Sequence, residues 1–186
     1  MSTKTLIGIL LAGTIGMIVF LFVQLSGRPH KISVGAKTAA ACDRRSADSC
    51  LPDVKYVDTT GKTYSAEGLL GKVVVVNFWA TWCNPCQKEI PDLSKLYDKY
   101  KANNVLILGI LTDDPPDSTL LNFQSDYEMT YPVVRSNSDI ITAFNYPQAL
   151  PTTFIFDKSG RRAGSPIVGS IRFDALSAQI AELVAQ

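Results

Sequence analysis

The stretch that decides the fold is Trp82-Cys83-Asn84-Pro85-Cys86, which follows an apolar run, Val73 to Trp79, and precedes a segment of helical periodicity, Gln87 to Lys101. A continuous apolar run of this length is typical of a buried strand. The cysteines are therefore predicted to lie on a turn from a strand into a helix, with Pro85 in the first helical turn, where its missing N–H costs nothing. At a helix N-terminus, unpaired backbone N–H groups and the helix dipole favour the thiolate of Cys83, and the thiolate is the nucleophile of disulfide exchange.

The spacing of the two cysteines also allows a second interpretation, half of a zinc site. Zinc would need further ligands, and the chain offers only one histidine, His30, and two other thiols, Cys42 and Cys50, all upstream of the pair. A pair on a strand-to-helix turn can instead open and close one disulfide without moving the fold. Redox chemistry of Cys83 and Cys86 is therefore the favoured interpretation, with no metal and no cofactor.

Three motifs stand at the pair and beyond it. They are Val76-Asn77-Phe78-Trp79-Ala80-Thr81-Trp82-Cys83-Asn84-Pro85-Cys86, then Glu89-Ile90-Pro91 and, far downstream, Leu150-Pro151-Thr152-Thr153-Phe154. Together they resemble the thioredoxin superfamily and, within it, the TlpA/ResA-like membrane-anchored thiol-disulfide oxidoreductases, over about Pro52 to Gln186. The resemblance implies a thioredoxin-like three-layer α/β fold, in which helices flank a central mixed sheet. It also implies a reducing role towards protein disulfides in an extracytoplasmic compartment.

The resemblance assigns roles to residues outside the pair. Pro151 matches the cis-proline that faces the redox turn in this superfamily, although it could also be an ordinary proline at the start of a strand. A cis bond would turn the backbone of Leu150 towards a substrate strand, so Leu150 and Thr152 are expected to dock the substrate. Trp82, adjacent to Cys83, is expected to shield the nucleophile and to form part of the docking surface. Trp82 could alternatively fill the core.

Glu89 has a functional and a structural interpretation. It follows Cys86 by three residues, which places it on a neighbouring face of the same helical turn, and it matches an active-site glutamate of the resembled reductases. Asn77 stands where thioredoxin carries a buried aspartate, and an amide cannot accept a proton. Glu89 or water is therefore expected to accept protons or to modulate the thiol pKa values. The alternative is an ordinary solvated carboxylate.

Composition indicates one modest domain with an anchor. The 186 residues are 46% apolar and 19% charged, and the formal net charge is +1, so the bulk field gives no reason to expect nucleic acid or an acidic partner. Leu6 to Leu25 is a run of 20 residues without a formal charge, long enough to cross a hydrocarbon core of roughly 30 Å. Residues 1–5 are a tail, and residues 6–25 are predicted to form one uncleaved N-terminal transmembrane helix.

A cleaved signal peptide is the alternative to this anchor. Ser26-Gly27-Arg28-Pro29 offers no small-x-small cleavage site beside the span, and Ala39-Ala40-Ala41 lies too far downstream. A lipoprotein signal ending at Cys42 fails because of the same distance.

The positive charges beside the span disagree with the resemblance about orientation. Lys4 and the amino terminus precede the span, whereas Arg28, Lys31 and Lys37 follow it, a count that would leave the C-terminal domain in the cytoplasm. The difference is small, and four cysteines suit an oxidising compartment. We therefore expect a single-pass protein of the bacterial inner membrane with its catalytic domain in the periplasm.

Residues 26–50 lack apolar periodicity and are predicted to be a tether that lets the domain, residues 51–186, reach partners near the membrane. Cys42 and Cys50 lie in this tether with seven residues between them, close enough to form a small closed loop. A structural disulfide is the favoured interpretation. A second redox pair that exchanges electrons with Cys83 and Cys86, and a soft-metal clip for copper, remain open.

Within the domain, apolar patterning predicts alternating strands and helices, hence a mixed sheet flanked on both faces. The predicted strands are Lys55 to Val57, Lys62 to Tyr64, Val73 to Trp79, Val105 to Leu111, Tyr131 to Val134, Thr152 to Phe156 and an edge strand near Ser165 to Val168. The predicted helices are Cys86 to Lys101, a helix capped by Ser118 or Thr119 that runs to Tyr127, Asp139 to Phe144, and a closing helix with an apolar stripe of Leu176, Ile180 and Leu183.

The expected reaction is disulfide exchange through a mixed disulfide, in which Cys83 attacks and Cys86 releases the substrate. The resemblance implies re-reduction by a transmembrane thiol donor of the DsbD or CcdA type. It suggests apocytochrome c or a copper-centre cysteine pair among disulfide-containing substrate proteins. A periplasmic thiol oxidase or isomerase is the alternative, because one pair can work in either direction. A copper-binding chaperone has less support, since no histidine follows His30, and a peroxidase lacks the expected Thr and Arg arrangement around Cys83.

Overall fold

The computed structural model describes residues 44–186, together with Met17, Phe20 and Leu21, which are helical and exposed. Apart from those three residues, the predicted transmembrane helix at 6–25 lies outside the described residues, as do the predicted tail and most of the predicted tether. No helix formed by the described residues is long and apolar enough to cross a membrane. The chain divides into two compact units, Met1–Ala40 and Ala41–Gln186, and the second contains the CxxC pair.

A mixed five-stranded sheet forms the centre of the second unit. Along the chain the strands are β1 (Tyr56–Val57), β2 (Thr63–Tyr64), β3 (Val73–Trp79), β4 (Val105–Leu111), β5 (Val133–Arg135), β6 (Thr152–Phe156) and β7 (Ile167–Val168). The sheet has the order β5-β4-β3-β6-β7, while β1 and β2 form a separate hairpin. β3, β4 and β5 are parallel, and β6 and β7 are antiparallel to their neighbours, so the sheet is mixed as predicted.

Helices cover both faces of this sheet. Within residues 44–186 they are α1 (Asn84–Tyr100), α2 (Asp117–Asp126), α3 (Ser138–Ala143) and α4 (Phe173–Ala185), with a short 3-10 helix at Lys101–Asn103. Buried residues of α1 and α4 pack with Val73 and Val75 on one face. Those of α3 pack with Val74 and Val76 on the other. The three-layer α/β architecture is therefore confirmed, and it places the N-terminus of α1 directly after the carboxyl end of the central strand.

The prediction was wrong about how α2 begins. This helix starts at Asp117, directly after Pro116, so neither Ser118 nor Thr119 provides the expected cap. Pro116 has extended backbone angles and no side chain that could cap, which leaves the carboxylate of Asp117 in the first turn to complement the helix dipole.

Part of the predicted tether belongs to the folded unit. Ala47 is buried, and its N–H donates a hydrogen bond to the carbonyl of Ala143 at 2.7 Å. Cys50 is also buried and is disulfide-bonded, whereas its predicted partner, Cys42, lies outside the described residues. The folded unit therefore begins before the predicted boundary at Leu51.

Candidate functional site

Cys83 and Cys86 lie at the N-terminus of α1 and are joined by a disulfide with a Cα–Cα distance of 5.2 Å. Cys83 caps the helix, because its backbone is extended and its Sγ accepts a hydrogen bond from the N–H of Cys86 at 3.3 Å. Cys83 is 4% exposed and Cys86 is fully buried, so the residual access belongs to the predicted nucleophile. No group of three or more histidine, cysteine or acidic side chains that could hold a metal ion occurs in the described part of the chain.

The loop between β3 and α1 is fixed by contacts that the sequence reasoning missed. The N–H of Thr81 lies 3.1 Å from Oδ1 of Asp113, and the Thr81 hydroxyl donates to the same carboxylate. The side-chain amide of Gln87 donates to the carbonyl of Thr81 at 2.6 Å. Asp113 follows the end of β4, and polar residues after neighbouring parallel strands converge at one edge of a sheet, which is the signal that could have identified it.

Glu89 is buried on α1, with 2% of its surface exposed, so it is not a solvated carboxylate. Its Oε1 accepts a hydrogen bond from Nδ2 of Asn77 at 2.8 Å, and its Oε2 accepts one from the N–H of Ile171 at 2.9 Å. Burial raises the pKa of Glu89 to about 7, although both hydrogen bonds act in the opposite direction. A carboxyl group poised near neutral pH can both accept and release a proton.

A buried polar cluster formed by Asn77, Thr153 and Tyr131 surrounds Glu89. Nδ2 of Asn77 donates a second hydrogen bond to Oγ1 of Thr153 at 3.0 Å. Burial, and secondarily the charge of Glu89, raises the pKa of Tyr131, and the Tyr131 hydroxyl has no hydrogen-bond partner among the described residues. Gly109 provides room for Tyr131, since a Cβ at Gly109 would come within 2.9 Å of the tyrosine ring.

The Leu150–Pro151 peptide bond is cis, as the resemblance implies. Leu150 is half-buried and packs against the hydrophobic cluster that contains both cysteines. Its backbone makes no hydrogen bond within residues 44–186. Thr152 is buried, and its hydroxyl donates to the carbonyl of Ala149 at 2.8 Å, while its predicted docking role stays a prediction.

The segment after β7, Gly169 to Ile171, contacts both Pro151 and α1. The N–H of Gly169 donates to the carbonyl of Pro151 at 2.9 Å, and the hydroxyl of Ser170 donates to the carbonyl of Pro85 at 3.2 Å. The next N–H along the chain is the donor to Glu89. Gly169 has a φ of 93°, in the left-handed region that favours glycine. Sequence reasoning missed this segment because two of its three contacts use backbone groups.

Trp82 is 70% exposed beside the nucleophile, which excludes the alternative that it fills the core. Trp79, by contrast, is 1% exposed and stacks on Phe123 with ring centroids 5.3 Å apart. Val168 is 67% exposed on the edge strand β7, where it pairs with Thr152. Two large apolar side chains, Trp82 and Val168, are therefore exposed, the first next to Cys83 and the second opposite Thr152.

Comparison with known proteins identifies the family of this chain and several relatives. Residues 47–161 match the AhpC/TSA family. The thiol-disulfide oxidoreductase ResA of Bacillus anthracis is 37% identical over 110 residues, which cover 59% of this chain and 63% of that protein. ResA of Bacillus cereus (strain ATCC 10987 / NRS 248) is 30% identical over 159 residues, covering 85% of this chain and 82% of the relative.

Solved structures give the same picture. A thiol:disulfide interchange protein of the thioredoxin family from Chlorobium tepidum TLS has a TM-score of 0.67 and 29% identity, covering 73% of this chain and 95% of that one. The chain spans about 63% of the length of the first Bacillus relatives that it matches. The family match nevertheless extends over more than half of the chain. The chain therefore belongs to the AhpC/TSA family and has a thioredoxin-like fold.

Proposed function

We propose that this chain is a thiol-disulfide oxidoreductase that reduces protein disulfides outside the cytoplasm. The observation that carries the proposal is the Cys83–Cys86 disulfide at the N-terminus of α1, three residues before the buried carboxyl group of Glu89. A helix N-terminus stabilises the thiolate that such a pair needs when it is reduced. The similarity to proteins named thiol-disulfide oxidoreductase ResA supports the same activity.

The reaction starts from the reduced pair. The thiolate of Cys83 attacks one sulfur of a substrate disulfide, which forms a mixed disulfide and expels the other substrate sulfur as a thiolate. Cys86 then loses its proton and attacks Sγ of Cys83, which re-forms the Cys83–Cys86 bond and releases the second substrate thiolate. Two electrons pass from the pair to the substrate in this sequence.

Glu89 accepts the proton of Cys86 in the second step. Cys86 is fully buried, so bulk water is a poor acceptor for its proton. Positions i and i+3 of a helix are neighbours, which brings the carboxyl group of Glu89 to the side of α1 on which Cys86 lies. The pKa of Glu89 near 7 suits a group that takes up this proton and later passes it on.

The substrate docks as an extended segment beside Cys83. The unpaired backbone of Leu150 next to Pro151 can pair with such a segment as an added strand. In this mode of recognition the affinity comes mainly from main-chain hydrogen bonds, and the side chains provide specificity. Trp82, next to Cys83 in the sequence, adds an exposed apolar side chain. The proposed docking surface is formed by Trp82, Leu150 and Pro151, with Thr152 directly after the cis bond.

The pair must be re-reduced by a donor on its own side of the membrane. We propose that residues 6–25 anchor the chain in the bacterial inner membrane, that the domain lies in the periplasm, and that the donor is a transmembrane thiol carrier of the DsbD or CcdA type. Apocytochrome c and copper-centre cysteine pairs are the proposed substrates. These assignments rest on the apolar run and on the resemblance of the motifs.

Trapping of mixed disulfides tests the activity. A full-length Cys86→Ser protein should accumulate mixed disulfides with substrate proteins, because nothing resolves them, whereas Cys83→Ser should accumulate none. Both variants should lose catalysed reduction of insulin by dithiothreitol. Equal trapping by the two single variants would exclude the assignment of Cys83 as the nucleophile.

Protease accessibility tests the location. Membranes should retain the full-length chain, and protease added outside cells with an opened outer membrane should digest the domain but spare the N-terminal segment. Protection of the domain under these conditions would instead favour the orientation that the count of positive charges predicts.

A further inference from the structure

Asn77 uses both hydrogens of its side-chain amide within the protein core. One is donated to Oε1 of Glu89 at 2.8 Å and the other to Oγ1 of Thr153 at 3.0 Å. The exposed fractions of Asn77, Glu89 and Thr153 are 1%, 2% and 0%, so water competes for none of these contacts. The orientation of the amide is therefore decided by its two partners.

The position of Thr153 is decided by the sheet. Asn77 on β3 and Thr153 on β6 are direct cross-strand partners, and β6 lies between β3 and β7. Side chains opposite each other on antiparallel strands point to the same face, the face on which α1 carries Glu89. The hydrogen bonds thus link three side chains in a line: Thr153 on β6, Asn77 on β3 and Glu89 on α1.

The orientation of the amide matters because its two ends have opposite preferences. With its nitrogen towards Glu89, the amide donates to a carboxylate, as the structure shows. A rotation by half a turn would direct Oδ1 at the same oxygen, which repels a carboxylate and suits only a protonated carboxyl group. In the first orientation the second amide hydrogen needs an acceptor, and Oγ1 of Thr153 supplies it. In the rotated orientation the Thr153 hydroxyl could donate to Oδ1, but Oδ1 would already accept the proton of the neutral carboxyl group, so the hydroxyl contributes more to the first orientation.

We propose that Thr153 is a positioning residue that, through Asn77, keeps the Glu89 carboxyl group in the form that can accept a proton. The importance of this role for turnover rests on the function proposed above for Glu89, but the effect of Thr153 on the carboxyl group does not. Removal of the Thr153 hydroxyl leaves one buried amide hydrogen without an acceptor, and this loss falls on the state in which Glu89 is charged.

Other groups that act on Glu89 stay in place when Thr153 is changed. Asp92 on α1 raises the pKa of Glu89 by charge repulsion, and the N–H of Ile171 lowers it. Tyr131, in the segment before β5, interacts electrostatically with Glu89, whose charge raises the pKa of Tyr131. In the oxidised protein the cysteine pair has no titrating thiol. A change in the titration midpoint of Glu89 in a Thr153 variant therefore reports on the hydrogen bonds that link Thr153 to Glu89 through Asn77.

The test is an NMR titration of the oxidised full-length chain with 13C at the glutamate carboxyl carbon. The sequence contains four glutamates, Glu67, Glu89, Glu128 and Glu182, and loss of one signal in Glu89→Gln assigns the resonance. Thr153→Val, which keeps the shape and removes the acceptor, should raise the midpoint of Glu89 by roughly half to one pH unit. Thr153→Ser, which keeps the hydroxyl, should titrate with the wild-type midpoint.

A wild-type midpoint in Thr153→Val would overturn the inference. Thr153→Ala, which removes the same hydroxyl without adding apolar bulk, provides the measurement if the valine variant does not fold, and it should shift in the same direction. Insulin reduction by Glu89→Gln separates the two proposals. Full activity of Glu89→Gln beside a shifted midpoint in Thr153→Val would contradict the function of Glu89 and leave the role of Thr153 standing.

Discussion

The side-chain amide of Asn77 donates a hydrogen bond to the carboxyl group of Glu89 at 2.8 Å, linking the central strand to the redox helix inside the core. Asn77 cannot take up a proton, but it holds the residue that can. The backbone N–H of Ile171 occupies the other carboxylate oxygen. The proposed proton acceptor is therefore carried by α1, the helix whose N-terminus bears the cysteine pair, rather than by β3.

Glu89→Gln should lower kcat/KM for insulin reduction by about 10- to 100-fold near pH 8, because proton transfer by a positioned side chain typically contributes at least this much. The wild-type rate should rise as the pH passes through about 7, where the carboxyl group loses its proton, and this limb should disappear in the variant. Lys88→Gln, an exposed change on the same helix, is the control and should keep the wild-type profile. An unchanged profile in Glu89→Gln would contradict proton uptake by Glu89.

The folded protein should lose stability as the pH rises from about 4.5 to about 7. The pKa of Glu89 is raised from its usual 4.5 to about 7, so the folded state binds the proton more tightly than the unfolded chain does. The stabilising contribution is fully present below the lower value and is lost above the higher one, a change of about 3 kcal/mol. Urea unfolding at pH 5 and pH 8 measures it. The free energy of unfolding of wild type minus that of Glu89→Gln should decrease over this pH range. A difference that does not depend on pH would refute the raised pKa of Glu89.

In the Cys86→Ser protein, the additional change Trp82→Ala should weaken substrate trapping several-fold and change the free energy of unfolding by no more than about 0.5 kcal/mol, as is usual for surface residues. The reason is its exposure of 70% beside Cys83. Leu121→Ala, which truncates a side chain of 59% exposure on α2, is the matched control and should leave trapping unchanged. If the Trp82→Ala and Leu121→Ala proteins both trap as much substrate as the parent Cys86→Ser protein, Trp82 is not part of the docking surface.

The double variant Cys42→Ala, Cys50→Ala should fold and keep insulin-reducing activity. We propose Cys42 as the partner of Cys50, and a bridge with seven residues between its ends contributes about 2–3 kcal/mol by chain entropy. Cys50 is buried, so alanine is a better replacement than serine. If Cys42 and Cys50 instead relay electrons, the double variant should be active with dithiothreitol but inactive with the membrane donor. The wild type should then form a mixed disulfide between a tether cysteine and Cys83.

Sequence reasoning was most successful where the signal was local. The apolar runs Val73 to Trp79 and Val105 to Leu111 became β3 and β4 with the predicted ends, because strands buried on both faces are nearly continuous apolar runs, here interrupted only by Asn77 and Gly109. The start of α1 was predicted at Cys86 and lies at Asn84. Helix ends depend on capping geometry, and a thiol cap at Cys83 is not among the usual sequence signals.

The site was predictable where a motif marks it and unpredictable where the contacts are long-range. The cysteine pair, Glu89 and the cis bond before Pro151 all follow from the motifs. The sequence motif contains Thr153 but gives no role for it, because only the strand register shows that Thr153 lies opposite Asn77. Ile171 was not foreseen, because its contribution is a backbone N–H that any residue except proline could supply.

The most direct test of the proposed reductase is the equilibrium reduction potential of the Cys83–Cys86 pair. The full-length chain is equilibrated in glutathione and dithiothreitol buffers, quenched with an alkylating reagent, and read by mass spectrometry of the peptide that carries the pair. We predict a value close to that of thioredoxin, about −270 mV, or more negative. A value near about −120 mV, typical of a strong thiol oxidant such as DsbA, would contradict the reductase and favour the oxidase or isomerase alternative.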